Sequence, residues 1–283
     1  MELIIGGILI TQKTIIEIAT TVDAGIVEGA PNRTLESAIL IMGRKKFRRL
    51  PITKLGKIRG ILTVTDIIRA ISEKGLPEAF DETISDWMTD TPRTILSSTT
   101  VIEASKIMSK ENFGSLLIVE PEDPEMLSGI VTERDILRLY RNDDWENLKL
   151  SDIPKDLLTK GLVKVNYKET LQNAIKLMYT HHTRRVLNVD DTGKLIGILS
   201  ANDITTLCSK EREEINENPN FLKSLTTHFV GSKDILTTTM DISLKEAVEI
   251  MCENNIGSLP ILENNDIIGL ISERTIVHII AKQ

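Results

Sequence analysis

Three aspartates and two arginine doublets are the groups in this chain best placed to do chemistry. Asp66, Asp135 and Asp203 each close the string Gly-hydrophobic-x-(Thr/Ser)-x-x-Asp. The copies read Gly60-Ile-Leu-Thr-Val-Thr-Asp66, Gly129-Ile-Val-Thr-Glu-Arg-Asp135 and Gly197-Ile-Leu-Ser-Ala-Asn-Asp203. A fourth, Gly269-Leu-Ile-Ser-Glu-Arg-Thr275, ends in threonine. A hydroxyl three residues before an acid is a capping box at a helix start, so one role for each aspartate is structural. A carboxylate also has two acceptor oxygens, enough for both hydroxyls of a ribose. The helix start beside it offers N–H donors and partial positive charge, which suit phosphate. Capping boxes more often carry Glu or Gln, and the preference here for Asp leans towards the sugar; the two roles can coexist. Arg48-Arg49 and Arg184-Arg185 stand directly before aliphatic runs in two equivalent places, and guanidinium forks match phosphate oxygens. A solvated basic face is the alternative, and it fits Lys45-Lys46 better. His181 and His182 read as surface residues at a helix end, and His228 and His278 have no partners in sequence.

The elements that must position these groups come from a repeat. The motif glycines are 69, 68 and 72 residues apart, and such a period sets the architecture. An alanine precedes a methionine by four residues in every copy: Ala38 and Met42, Ala104 and Met108, Ala174 and Met178, Ala247 and Met251. Leu35, Ala38, Ile39 and Met42 have helical spacing and predict a helix over 35–46, with Thr34, Thr100 and Ser243 as caps in their copies. Two short aliphatic strands follow, over 50–53 and 58–63 in the first copy, and the motif opens a second helix over 65–72. The unit is strand, helix, strand, strand, helix, a mixed α/β fold. A unit of that size buries too little apolar surface to be secure alone, so units are expected to pair sheet to sheet. Odd copies carry Arg-Arg where even copies carry Gly-Ser, at Gly114-Ser115 and Gly257-Ser258, as duplication of an already paired module would leave. The expected units are 12–75, 82–142, 148–210 and 222–283. The boundary between pairs is expected at 141–150, with a further linker at 216–220.

Composition bounds the function. With 41% hydrophobic and 27% charged residues, the chain reads as a globular protein. A net charge of −7 and an isoelectric point near 5.3 argue against nucleic-acid binding, which needs a basic face. Cys208 and Cys252 form no Cys-x-x-Cys pair and read as buried thiols in a reducing compartment, with no metal site implied. The apolar stretch 1–10 is too short to span a bilayer and lacks the marks of a signal peptide; it reads as an arm packing on the body or on a second chain. The cytoplasm is the expected location. No nucleophile–histidine–acid set and no Walker-type phosphate loop is visible, so no catalysis is expected.

These motifs and their register resemble the cystathionine β-synthase (CBS) domain family over nearly the whole chain. The signature strings, the Leu-Pro-Ile runs at Leu50 and Leu259 and the spacing carry the likeness. Four copies in one chain look like the gamma regulatory subunit of AMP-activated protein kinase. The resemblance implies two tandem pairs forming a disc, and adenosine-containing ligands (AMP, ADP or ATP, with S-adenosylmethionine as a further candidate) bound in clefts between paired units. It implies a first site of Arg48, Arg49, Thr63, Thr65 and Asp66, with Ile95, Phe113 and Gly114 from the partner unit. A second site combines Arg184, Arg185, Ser200 and Asp203 with Ile235, Ile256 and Gly257. Thr132 and Asp135 are offered without arginines of their own, and the Thr275 position is expected to be empty, weak or structural. The implied role is a non-catalytic regulator, a monomeric disc or a homodimer, acting on an unknown protein. The competing expectation is an interaction scaffold with vestigial clefts.

Overall fold

Helical spacing of aliphatic residues and a hydroxyl cap start each repeat. The first helices are Leu35–Lys45, Val101–Glu111, Leu171–Thr180 and Leu244–Glu253. Thr34, Thr100, Thr170 and Ser243 each accept the N–H three residues on, satisfying a donor that the helix itself leaves open. The stripe Leu35, Ala38, Ile39, Met42 and its counterparts in the other repeats are buried. This computed structural model describes residues 13–142 and 148–282. The apolar stretch 1–10 and the middle of the boundary expected at 141–150 lie outside them.

A hairpin follows each first helix and delivers the chain to the second. In repeat 1, Arg49–Lys54 pairs antiparallel with Lys57–Thr63. The counterparts are Ser115–Val119 with Gly129–Thr132, Arg185–Val189 with Leu195–Ser200, and Ser258–Glu263 with Asp266–Ser272. The second helices are Val64–Lys74, Glu133–Leu139, Ala201–Lys210 and Glu273–Ile280. The strand expected before the first helix is formed in repeats 2 and 3, as Thr94–Leu96 and Lys164–Asn166, each parallel to the next strand. In repeats 1 and 4 it shrinks to a single parallel bridge, Gly29 to Ile52 and Thr238 to Ile261.

The lead-in segments are exchanged between consecutive repeats. Residues before repeat 2 lie on repeat 1, with Thr83 bridged to Thr34, and residues before repeat 1 lie on repeat 2, with Thr14 bridged to Thr100. Repeats 3 and 4 do the same through Thr226 to Thr170 and Lys149 to Ser243. This exchange explains the motif glycine. A Cβ at Gly60 would stand 2.7 Å from the carbonyl of Thr89, and one at Gly129 3.0 Å from that of Thr20, where the exchanged segment crosses the hairpin. Any side chain there would push the lead-in off.

The chain divides into two compact units. One contains the bodies of repeats 1 and 3 (Val27–Thr91 and Gly161–Ile235), the other the bodies of repeats 2 and 4 (Pro92–Lys160 and Leu236–Gln283) with the lead-in of repeat 1. Within the odd unit the repeats meet through helices. Leu35–Lys45 packs on Ala201–Lys210 so closely that a Cβ at Gly43 would fall 2.7 Å from the Thr205 carbonyl. Tyr179 donates its hydroxyl to Glu73 at 2.8 Å across the other helix pair. In the even unit Val101–Glu111 meets Glu273–Ile280, where Ser109 Oγ lies 2.6 Å from His278 Nδ1. This helix-to-helix packing of odd with odd and even with even is an association the sequence did not predict. The expected linker at 216–220 is instead part of an ordered lead-in. Helix Arg212–Glu217 and the turn Phe221–Ser224 bury Ile215, Phe221 and Leu222 in the odd unit's core.

Candidate functional site

In every repeat the fold brings the doublet before the hairpin against the motif that closes it. Arg49 sits opposite Thr63 in the ladder, and the Arg48 carbonyl accepts the Val64 N–H at 3.0 Å. Arg185 sits opposite Ser200, and the Arg184 carbonyl accepts from Ala201 at 2.8 Å. The same antiparallel register places Ser115 by Thr132 and Ser258 by Ser272 in the even repeats. All four arginines are half-buried, and all four belong to the odd unit together with Asp66 and Asp203. Lys45 and Lys46 are exposed, as are His181 and His182 at the end of their helix.

The aspartates form the capping boxes that their spacing implies, each through one oxygen. Asp66 Oδ2 accepts from the Thr63 N–H at 2.8 Å and its hydroxyl at 2.7 Å. Asp135 Oδ2 accepts from Thr132 at 2.9 and 2.7 Å, and Asp203 Oδ2 from Ser200 at 2.8 and 2.7 Å. Capping thus occupies Oδ2 in all three. Asp66 Oδ1 is 3.7 Å from the Arg69 guanidinium, which also donates to the Trp87 carbonyl at 2.7 Å and lies over that indole. Arg69 thereby ties the exchanged lead-in of repeat 2 to the motif of repeat 1. In repeat 4 the box is replaced by a hydroxyl pair, Ser272 to Thr275 at 3.0 Å.

Burial raises the Asp66 carboxyl above its usual range; the Thr63 bonds and Arg69 oppose this without overcoming it. An acid whose folded pKa is raised weakens the fold as pH climbs from its unfolded value through its folded one, and the loss persists above that window. Asp66→Asn keeps an acceptor for Thr63 and removes the buried charge. Its melting temperature is expected to equal or exceed that of the parent at pH 7, with the gap closing in acid. A lower melting temperature at pH 7 would contradict this.

The remaining sequence-derived residues are more dispersed. Ile95 is buried; Phe113 is 39% exposed; Gly114, Ile256 and Gly257 are half-buried, and all five belong to the even unit. Ile235 closes the odd unit, and Thr65 is exposed on the first turn of its helix. Among the described residues no group of three or more His, Cys, Asp and Glu is arranged to hold a metal ion. No helix among them is long and apolar enough to cross a membrane. Burial pushes the Cys208 thiol up to about 12, so it is inert.

Sequence reasoning missed one polar constellation. Arg134 Nε donates to Glu273 at 2.6 Å, and Arg274 Nε donates to Glu133 at 2.9 Å. Both glutamates are only 1% exposed. Arg134 also reaches Asn255, and Arg274 reaches Asn112, at 2.7 and 3.0 Å. The two ion pairs cross reciprocally between repeats 2 and 4 within the even unit. The signal was available, because Glu-Arg occurs inside the motif only in the even copies, where the odd copies have Val-Thr and Ala-Asn.

Comparison with known proteins agrees with this architecture. The model of the CBS domain matches four segments, residues 30–73, 84–142, 154–210 and 229–282. The chain belongs to the CBS-domain family, as a mixed α/β protein of four such repeats. It is 27% identical over 270 residues to protein MJ1225 of Methanocaldococcus jannaschii, covering 89% of this chain and 94% of that one. The crystal structure of MJ1225, described as a candidate archaeal homolog of g-AMPK, superposes with a TM-score of 0.82 at 25% identity over 94% of this chain and 99% of that one. An uncharacterized conserved protein of Pyrococcus horikoshii shares the fold at a TM-score of 0.63 and 18% identity, over 95% of this chain and 100% of that one.

Proposed function

We propose that this chain is a non-catalytic regulatory protein that binds an adenosine-containing ligand, AMP, ADP or ATP, on the CBS motifs and reports its occupancy by a change of shape. The observation that carries this reading is that, in both odd repeats, the second arginine of the doublet stands opposite, in the ladder, the hydroxyl residue that the helix-mouth aspartate caps. The carboxylate takes the ribose hydroxyls, the arginines and the helix start take phosphate, and an apolar residue of the same unit, such as Ile235, takes adenine. The likeness of MJ1225 to g-AMPK supports the same reading. Repeat 4, with Thr275 in place of the acid, is expected not to hold a ribose. The shape change is no larger than the difference in ligand affinity between the two shapes allows.

A scaffold without ligands is the second reading. It is favoured by the even unit, where Thr275 is engaged by Ser272 and the motif's Glu-Arg residues serve a crossed ion pair. A thermal-shift series with AMP, ADP, ATP and S-adenosylmethionine separates the two. A ligand at about a hundred times its dissociation constant stabilises by ~2.7 kcal/mol, a rise of several degrees. No rise with any of the four would favour the scaffold.

A further inference from the structure

The hairpin of repeat 1 turns on Leu55-Gly56, and Leu55 is 92% exposed with φ +55°. The left-handed region disfavours a bulky side chain. The equivalent turn of repeat 4 uses Asn264-Asn265, the residues such a two-residue turn prefers. Leu55 therefore contributes neither to the turn nor to the core of its own chain. Exposed Lys54, Lys57 and Arg59 surround it on the same hairpin, although the whole chain carries a net charge of −7. The result is a small apolar knob with a basic collar.

A matching cavity of about 420 Å³ lies in the even unit, between the lead-in of repeat 1 and the hairpin turn of repeat 2. Val22, Met126 and Leu127 line it with Asp23, Glu120 and Asp123. Val22 and Met126 are 41% and 36% exposed, large apolar side chains left open to solvent. Glu120 is held by the hydroxyls of Ser97 and Ser128, which lower its pKa and keep it ionised. Knob and cavity are opposite in charge, alike in apolar content and carried by the same polypeptide.

We propose that the Leu55 hairpin tip of one copy docks into the acidic, partly apolar cavity of a second copy. A bilayer is the poorer occupant, because an acidic chain is repelled by anionic lipid and one leucine inserts little apolar surface. The inference is independent of nucleotide binding.

Sedimentation velocity of the full chain from ~1 to ~100 μM is expected to show reversible self-association, weaker at ~500 mM than at ~50 mM salt. Leu55→Asn, which suits the turn better, is expected to keep or raise the melting temperature and to weaken association about tenfold or more. Lys54→Glu and Asp123→Lys are each expected to weaken it alone, and an equimolar mixture of the two to restore it. The proposal is overturned if the parent stays monomeric throughout, if Leu55→Asn associates like the parent, or if the mixture is no stronger than its components. A monomeric parent that sediments with phosphatidylserine vesicles would overturn it in favour of a membrane.

Discussion

Glu133→Ala and Glu273→Ala are each expected to destabilise the even unit by ~1.5–3 kcal/mol, the usual range for a hydrogen bond to a charged group. Each change takes the buried carboxylate from an arginine, Arg274 or Arg134, that keeps only its bond to Asn112 or Asn255 and its partial exposure to water. Each also removes an acid from the first turn of a helix, where the helix dipole favours it. Thermal and urea denaturation will read the loss. Removing both members of one arm with apolar residues of similar volume, Arg134→Met with Glu273→Met, should be much milder, because neither charge is then left alone. If the single and double changes were equally severe, packing and not charge pairing would hold repeats 2 and 4 together. The odd repeats, with Val64 and Ala201 at the glutamate positions, show that the fold itself does not require the acids.

The second large effect concerns phosphate. Giving the odd repeats the doublet of the even ones, Arg48→Gly with Arg49→Ser and Arg184→Gly with Arg185→Ser, should leave the hairpins intact. The register already places Ser115 and Ser258 opposite their motif hydroxyls. A charge-assisted hydrogen bond contributes ~1.5–3 kcal/mol, so AMP affinity should fall about ten- to a hundredfold for each such bond lost. Adenosine, which has no phosphate, should bind the altered and parent proteins alike. Calorimetric titration with the two ligands makes the comparison. Equal losses for both would place the arginines outside the phosphate role.

Much of the repeat is written locally and so could be read. Ala38-to-Met42 spacing and its copies mark the first helices, and the Thr63, Thr132 and Ser200 boxes mark the second, because caps and stripes act over three or four residues. The motif glycine was legible as a signature but not as a cause. Its reason is the crossing of a lead-in from the neighbouring repeat, a contact between Gly60 and Thr89 that no periodicity reports. The lead-ins were hard to see because their helices, Ile84–Trp87 and Thr227–Val230, are single turns too short for a stripe. The run 216–220 looked like a linker on its Asn and Pro content, yet Ile215 and Phe221 on either side are buried. The crossed Arg–Glu pairs join residues about 140 positions apart in sequence, so only the folded chain brings them together. At the candidate site, the joining of doublet and motif followed from hairpin register, whereas the choice between capping and sugar binding did not. Asp66 and Asp203 cap through Oδ2, and a cap alone does not say what Oδ1 is for.

The most direct test is titration calorimetry of AMP into the parent, Asp66→Ala and Asp203→Ala proteins. The expected result is saturable binding by the parent, with about a tenfold or greater loss of affinity at one site in each variant. Isotherms for both variants that overlay the parent would show that these carboxylates serve only their own helices.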